Sequence, residues 1–424
     1  MKQSKFILGF ILGFILAAAI SSCSRGEIDF VDFSKLDGAN HGAFKVFSSK
    51  VTDLSGGLPK DCYFDQEEIS GTGTKTTSTP ITTVLADLLD YNNKGKVIEV
   101  AGSYESFDLR TSRPTTLSGK ILLPKNRKPK RYIVVSHYTI GANFEAPSNC
   151  FPLEGLLADM GYAMIFPDYE GFGIDSDRVH PYLVLQQQAF DVYTMYYAVR
   201  EFLKDTEYAP QHDDIYLMGY SQGGAVTMGT LWFIEEVIGR KDLVHQVFCG
   251  GGPYDVRATY NNFIESDNVN IPAAIPMVIQ GMIVGNGIDL NISDFLQPWI
   301  MENLDSWINS KSYTVAQLKT MMGTTHTSDI LTEKGLDRTS KEVSELYKAL
   351  SSNSVLALNW VPSAPVYMFH SMDDDVVPFI NASMAKTKWT DANIQYNFGY
   401  YGSHIKGALR FILSVKTWLK EEGE

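Results

Sequence analysis

Ile215-Tyr216-Leu217-Met218-Gly219-Tyr220-Ser221-Gln222-Gly223-Gly224-Ala225-Val226 is the stretch whose reading decides the fold. Four apolar residues, then Gly-x-Ser-x-Gly, then small and apolar residues at helical spacing read as a buried strand, a sharp turn and a helix. A serine held at a strained strand-to-helix turn needs neighbours without bulk, and Gly219, Gly223 and Gly224 supply them. The turn leaves the Ser221 hydroxyl above the sheet. It also sets the backbone N–H of Gln222 at a helix N-terminus, where an oxyanion is stabilised. A plain Gly-rich turn with a solvent-exposed serine has the same letters, but the apolar strand before it and the helix after it argue for the chemical reading.

Outward from this stretch the chain keeps the same rhythm. Tyr132 to Val135 reads as a central parallel strand, and the polar turn Ser136 to Gly141 follows where such sheets place function. Leu153 to Met160 reads as a helix, Tyr162 to Asp168 as the next strand, Tyr182 to Lys204 as a long helix and Leu243 to Cys249 as another apolar strand. Upstream, Val97 to Val100, Tyr104 to Leu109 and Leu117 to Leu123 read as antiparallel strands leading into the sheet. From about Asp255 to Asn353 the alternation stops, leaving helical pieces at Ala273 to Val284, Ile292 to Trp307, Val315 to Met322 and Lys341 to Leu350. It resumes with a strand at Pro365 to His370, another at Asn393 to Phe398 and a helix at Ile405 to Leu419. The pattern predicts an α/β fold, a mostly parallel doubly wound sheet with a helical cap inserted after a strand.

Met1 to Cys23 has a basic start (Lys2, Lys5), an apolar run of about 15 residues where a membrane span needs ~20, and a small-residue end, which is a signal peptide. Ala19-Ile20-Ser21-Ser22-Cys23 resembles a bacterial lipobox, whose cysteine becomes the lipidated first residue. The expected organisation is a signal peptide over 1–22, a lipidated tether over 23–53, a core over 54–254 and 356–424, and a cap over 255–355. Without residues 1–22 the chain carries 34 basic and 49 acidic residues, a net charge of −15, which argues against nucleic acid and against electrostatic adhesion to anionic lipid. The basic run Lys125 to Arg131 then reads as a solvated connection. A lipid on Cys23 would be the membrane anchor, exposing the protein to the periplasm or the cell surface. Cys62, Cys150 and Cys249 remain; export permits one disulfide, Cys62 with Cys150, against three buried free thiols.

A serine hydroxyl needs a base within reach, itself oriented by a carboxylate. His404, in the loop after the last strand, is the only histidine downstream of the acidic loop Asp373-Asp374-Asp375, and it follows the small residues Gly402 and Ser403. Spacing to Val377-Pro378 favours Asp374, with Asp373 and Asp375 as competitors. His137 and His370 sit at strand ends and read as structural. The second oxyanion donor falls in the turn after the first central strand, at the N–H of Thr139 with Tyr138 close behind.

At these residues a resemblance is plain. Gly219 to Gly223, His370 to Pro378 and Gly402-Ser403-His404 resemble the alpha/beta-hydrolase superfamily. Pro167 to Gly173, with His180-Pro181-Tyr182 and the helical insertion, is similar to the secretory lipase family of fungi and bacteria. The resemblance implies a serine esterase or lipase, an ester substrate and no metal or organic cofactor. Two departures stand out: Ser371 where the superfamily usually has glycine, and His137-Tyr138 where it often has His-Gly. The rival readings are a serine peptidase of prolyl-oligopeptidase type and a lipoprotein that only binds ligands on a hydrolase scaffold.

Overall fold

The computed structural model describes residues 44–56, 58–62, 95–125 and 127–422. The signal peptide over 1–22, Cys23 and the tether up to residue 43 lie outside the described residues. No helix among the described residues is long and apolar enough to cross a membrane.

Nine strands form one sheet in the order β1-β2-β3-β5-β4-β6-β7-β8-β9. They are β1 (Lys45–Asp53), β2 (Lys96–Asp108), β3 (Arg113–Pro124), β4 (Tyr132–Ser136), β5 (Ala163–Pro167), β6 (Ile215–Tyr220), β7 (Val244–Gly250), β8 (Val366–Ser371) and β9 (Ile394–Gly399). The pairs from β1 to β5 are antiparallel, and those from β5 through β4 to β9 are parallel. The strands β4, β5 and β6 are buried at every residue, which is why they read as continuous apolar runs rather than alternating ones. Apolar clusters cover both faces. One packs α1 (Leu185–Leu203) and α2 (Gln222–Trp232) on the sheet; the other includes Leu153, Leu156 and Leu157 and the closing helix His404–Glu422.

Between β7 and β8 the chain is helical, with α3 (Val256–Ser266), α4 (Ala274–Asn286), α5 (Pro298–Asn303), α6 (Val315–Met322), α7 (Thr327–Ile330), α8 (Glu333–Leu336) and α9 (Lys341–Ser352). This insertion has its own apolar core, and Tyr182, Leu183 and Ala225 join that core from the sheet domain. After β8 come α10 (Ile380–Lys388) and, after β9, α11 (His404–Glu422).

Three expectations need correction. Lys45–Asp53 is not tether but an edge strand paired with β2. Nearly every residue of β1 is exposed, so no alternation marks it in the sequence. The separate short strands expected between Val97 and Leu123 are one long hairpin, because Gly102 interrupts nothing: a Cβ there would lie 2.5 Å from the Phe44 ring, so it lets β1 approach. The single helix expected over Ile292 to Trp307 is broken at Pro298, which starts α5 instead of continuing a helix. Leu153–Met160 is helical as expected, wound as a 3₁₀ helix. The three described cysteines Cys62, Cys150 and Cys249 are free thiols.

The strand β1 completes a buried ion pair. Lys120 Nζ lies 2.7 Å from Glu99 Oε2, with side chains only 4% and 2% exposed, and also donates to the carbonyl of Cys150. Thr52 donates its hydroxyl to the other oxygen of Glu99, and Lys50 stands 3.3 Å from it. Removing one partner of such a pair strands the other. Lys120→Met is therefore expected to lower unfolding free energy in urea by roughly 3 kcal/mol, and adding Glu99→Leu to recover most of that loss.

Candidate active site

The elbow is built by close packing. Ser221 joins β6 to α2 with φ 60° and ψ −128°, a region that a residue with a side chain occupies only under constraint. Its N–H donates to the Gly250 carbonyl of β7 at 2.9 Å, and its own carbonyl accepts from Gly224 at 2.9 Å. A Cβ on Gly223 would stand 2.0 Å from the Ser136 carbonyl of β4, and one on Gly219 2.3 Å from the Gly223 carbonyl. Only hydrogen at these positions lets the helix settle against the two strands. Ser221 is buried, and α2 opens at Gln222, whose N–H therefore has no intrahelical partner.

The acidic loop after β8 sorts the three aspartates. Asp374 turns inward, its side chain fully buried, and its Oδ2 lies 2.7 Å from Nδ1 of His404. The N–H groups of Val376 and Val377 donate to Oδ1 at 3.0 and 2.8 Å. Burial pushes the Asp374 carboxyl up, but the charge and hydrogen bond of His404, then His370 and the Val376 N–H, outweigh it and hold it below the usual carboxylate range. Asp375 turns away from the ring and accepts the backbone N–H of His404 at 2.9 Å. Asp373 touches neither, its N–H facing Ser371 Oγ at 3.4 Å.

His404 is the first residue of α11 and is buried. Its ring packs on that of Tyr220, the residue before Ser221, with centroids 4.9 Å apart, and Tyr220 donates its hydroxyl to the His404 carbonyl at 2.9 Å. Among the described residues Nε2 of His404 has no hydrogen-bond partner, so its bond to the Ser221 hydroxyl is not formed here. Such bonds are often long until substrate is bound. His370 faces the same carboxylate, 3.6 Å from Asp374 Oδ2, while its Nε2 meets the Val377 carbonyl at 3.0 Å.

Ser221, Gln222 and Thr139 line one cavity together with Tyr182, Val256, Tyr260, Phe263, Ile271, Val278, Val376 and Val377. Two polar contacts around it are invisible in the sequence. Thr139 Oγ1 and the Tyr182 hydroxyl share a hydrogen bond of 2.8 Å, which pins the turn after β4. His180 Nε2 meets the side-chain amide of Gln222 at 3.0 Å, and its Nδ1 meets the Glu170 carbonyl at 2.6 Å. Burial pushes the His180 ring down to about 3, so it is neutral and accepts from Gln222. His137 is likewise pushed by burial to about 4; its ring stacks on Tyr169 at 4.0 Å and faces the Asp168 carbonyl. Neither imidazole contacts the Ser221 hydroxyl.

A strained serine at a strand-to-helix junction, on a mostly parallel sheet with a helical insertion after β7, defines an α/β-hydrolase. The secretory lipase family matches residues 148–419, and the chain belongs to that family. Its membership supports hydrolysis of esters. Among solved structures, a rice cell wall degrading esterase, LipA from Xanthomonas oryzae, is similar at 19% identity and TM-score 0.65, over 80% of this chain and 92% of that one. A protein described as a hydrolase from Legionella pneumophila is similar at 17% identity and TM-score 0.68, over 80% and 94%. Lipase A of Candida antarctica is similar at 14% identity and TM-score 0.55, over 75% of each chain. No curated protein matches the sequence.

Ser371, the departure from glycine, ties the two loops together. Its buried hydroxyl donates to the Gly402 carbonyl at 2.6 Å and accepts from the Tyr401 N–H at 3.1 Å, so the strand bearing the acid loop holds the segment leading to His404. Ser371→Ala leaves both groups without that partner. The expected outcome is a stability loss of about 1–3 kcal/mol in chemical denaturation, with a larger drop in kcat than rise in KM on an ester substrate.

Proposed function

We propose that this chain is an exported, lipid-anchored serine hydrolase that cleaves carboxylic esters through an acyl-enzyme. The observation that carries the reading is the 2.7 Å contact of His404 with a buried Asp374, beside a serine held at φ 60°. In this reading Ser221 attacks the ester carbonyl while His404 takes its proton through Nε2. Asp374 fixes the imidazole and offsets its positive charge. The N–H groups of Gln222 and Thr139 receive the oxyanion, His404 returns the proton to the departing alcohol, and water repeats the sequence on the acyl-enzyme.

The apolar side chains Val256, Phe263, Ile271 and Val278 in the cavity suit the hydrocarbon part of an acyl group. They come from the insertion, so residues 255–355 serve as a cap over the site. Export by the peptide over 1–22 and anchoring through Cys23 place the enzyme at a bacterial membrane.

Ser221→Ala is expected to abolish both turnover of short acyl nitrophenyl esters and covalent labelling by a serine-directed phosphonate, detected as an intact-mass shift. Asp374→Asn is expected to lower kcat by about 10⁴-fold, through loss of the correct tautomer of the base. Unlabelled Ser221 in the folded protein overturns the reading in favour of a binding scaffold, and faster cleavage of aminoacyl amides than of esters overturns it in favour of a peptidase.

A further inference from the structure

We infer that Asp375 is a positioning residue that makes the alignment of His404 depend on the seating of the helical insertion, an inference that rests on the serine-hydrolase reading above. Three hydrogen bonds form one row. The backbone N–H of His404 donates to Asp375 Oδ1 at 2.9 Å, Asn270 Nδ2 donates to Asp375 Oδ2 at 2.8 Å, and Lys319 Nζ donates to Asn270 Oδ1 at 2.5 Å. Asn270 lies between α3 and α4 and Lys319 lies on α6, so both donors on the far side belong to the insertion. The row therefore runs from two separate parts of the insertion, through one carboxylate, to the backbone of the proposed base.

Each group has a reason to be there. His404 opens α11, so its N–H has no intrahelical acceptor, and a carboxylate at that position meets both the orphan donor and the positive end of the helix. Asp375 does not touch the imidazole, so it acts on the ring only through the backbone. Asn270 is next to Ile271, which lines the Ser221 cavity, and the N–H of Val269 on its other side is held by the Thr325 carbonyl at 2.8 Å. Displacement of this segment removes the donor from Asp375 Oδ2 and frees the carboxylate to turn to solvent. The His404 N–H then loses its acceptor. A displacement of about 1 Å in a catalytic group is enough to slow a reaction markedly.

The test uses the full chain, a short-chain nitrophenyl ester and hydrogen exchange of the peptide spanning residues 400–404. Asn270→Ala is expected to lower kcat about five-fold, the worth of one partly exposed hydrogen bond, with KM within about two-fold, and to speed exchange in that peptide. Asp375→Ala is expected to lower kcat further, and adding Asn270→Ala to it to cause no additional loss. The swapped pair, Asp375→Asn with Asn270→Asp, is expected to recover kcat, because the new amide donates to a carboxylate that still accepts from Lys319. A contribution that either residue makes independently of the other would not be rescued by the swap, and a merely structural bond would leave kcat of the folded protein unchanged. Wild-type kcat in Asn270→Ala, multiplying losses in the double alanine variant, or a swapped pair worse than either single change would overturn the inference. Ser221→Ala separates the two failures: if it is inactive while Asn270→Ala behaves as wild type, only the inference falls, and if it retains activity, the hydrolase reading falls and takes the inference with it.

Discussion

The contact of a glycine with a carbonyl sets the geometry of the whole site. Gly223 lies so close to the Ser136 carbonyl that no side chain fits between α2 and β4. That approach drives α2 into the crevice between the central strands, and the short turn feeding it forces Ser221 into its unusual backbone conformation. The same closeness sets the turn after β4 beside the start of α2. Thr139 and Gln222 come to line one cavity because two backbones touch. Cooperative packing of β6, β7 and β4 around this point maintains the strain, which relaxation elsewhere would otherwise release.

What could be read from the sequence follows from how burial marks each element. The strands β4, β5 and β6 are wholly buried and stand out as uninterrupted apolar runs; β1 is exposed along its length and carries no such mark. The helix α3 carries no clear mark either, because its buried residues are few, Val256, Thr259 and Tyr260, on a segment rich in polar side chains. In the site, chain order and spacing point to Ser221, Asp374 and His404; the structure brings the last two into contact and packs the His404 ring on Tyr220, the residue before Ser221. The contributions of His180, Tyr182, Ser371 and Asp375 were not legible. Each acts through a partner more than 25 residues away, and no local pattern encodes that distance. Asp374 and Asp375 show the limit most sharply, since adjacent identical residues take opposite orientations only because of what surrounds them.

Beneath the turn after β4 lies a polar frame that explains why the loop from Asp168 to His180 can be both buried and fixed. Asp168 accepts the Ser118 hydroxyl at 2.6 Å and the Ser148 N–H at 2.8 Å. Arg178 bridges Glu170 at 2.6 Å and Asp108 at 2.7 Å, while Asp191 accepts the Glu170 N–H at 3.0 Å. Burial, helped by the like charge of Asp108 and Asp175, pushes the Glu170 carboxyl up to about 7 despite the nearby Arg178. Such a network is costly unless every member is matched, so it favours one arrangement of the loop over neighbouring ones. The single arrangement holds His180 against Gln222 and Tyr182 against Thr139, and so transmits order to the cavity without contributing a reacting group.

Among the polar attachments that join the insertion to the sheet domain, those of Lys311 and of Asp375 differ most plainly in burial. Lys311 is buried, with its ammonium donating to the carbonyls of Ser176 and Arg178 and its own carbonyl accepting from the Asn143 N–H at 2.8 Å. Burial pushes its ammonium down to about 8, against the nearby charges of Asp175 and Asp177. Withdrawing that ammonium from its carbonyls while it stays buried carries a penalty of several kcal/mol. The row through Asn270 and Asp375 lies nearer solvent, where water replaces a lost partner and each bond is worth about 1 kcal/mol. Of these two, the Asp375 attachment, next to the wall formed by Ile271, is the one that costs less to break. That weaker attachment is also the one that reaches the backbone N–H of His404, so the seating of the insertion beside Ile271 and the position of His404 rest on the same few contacts.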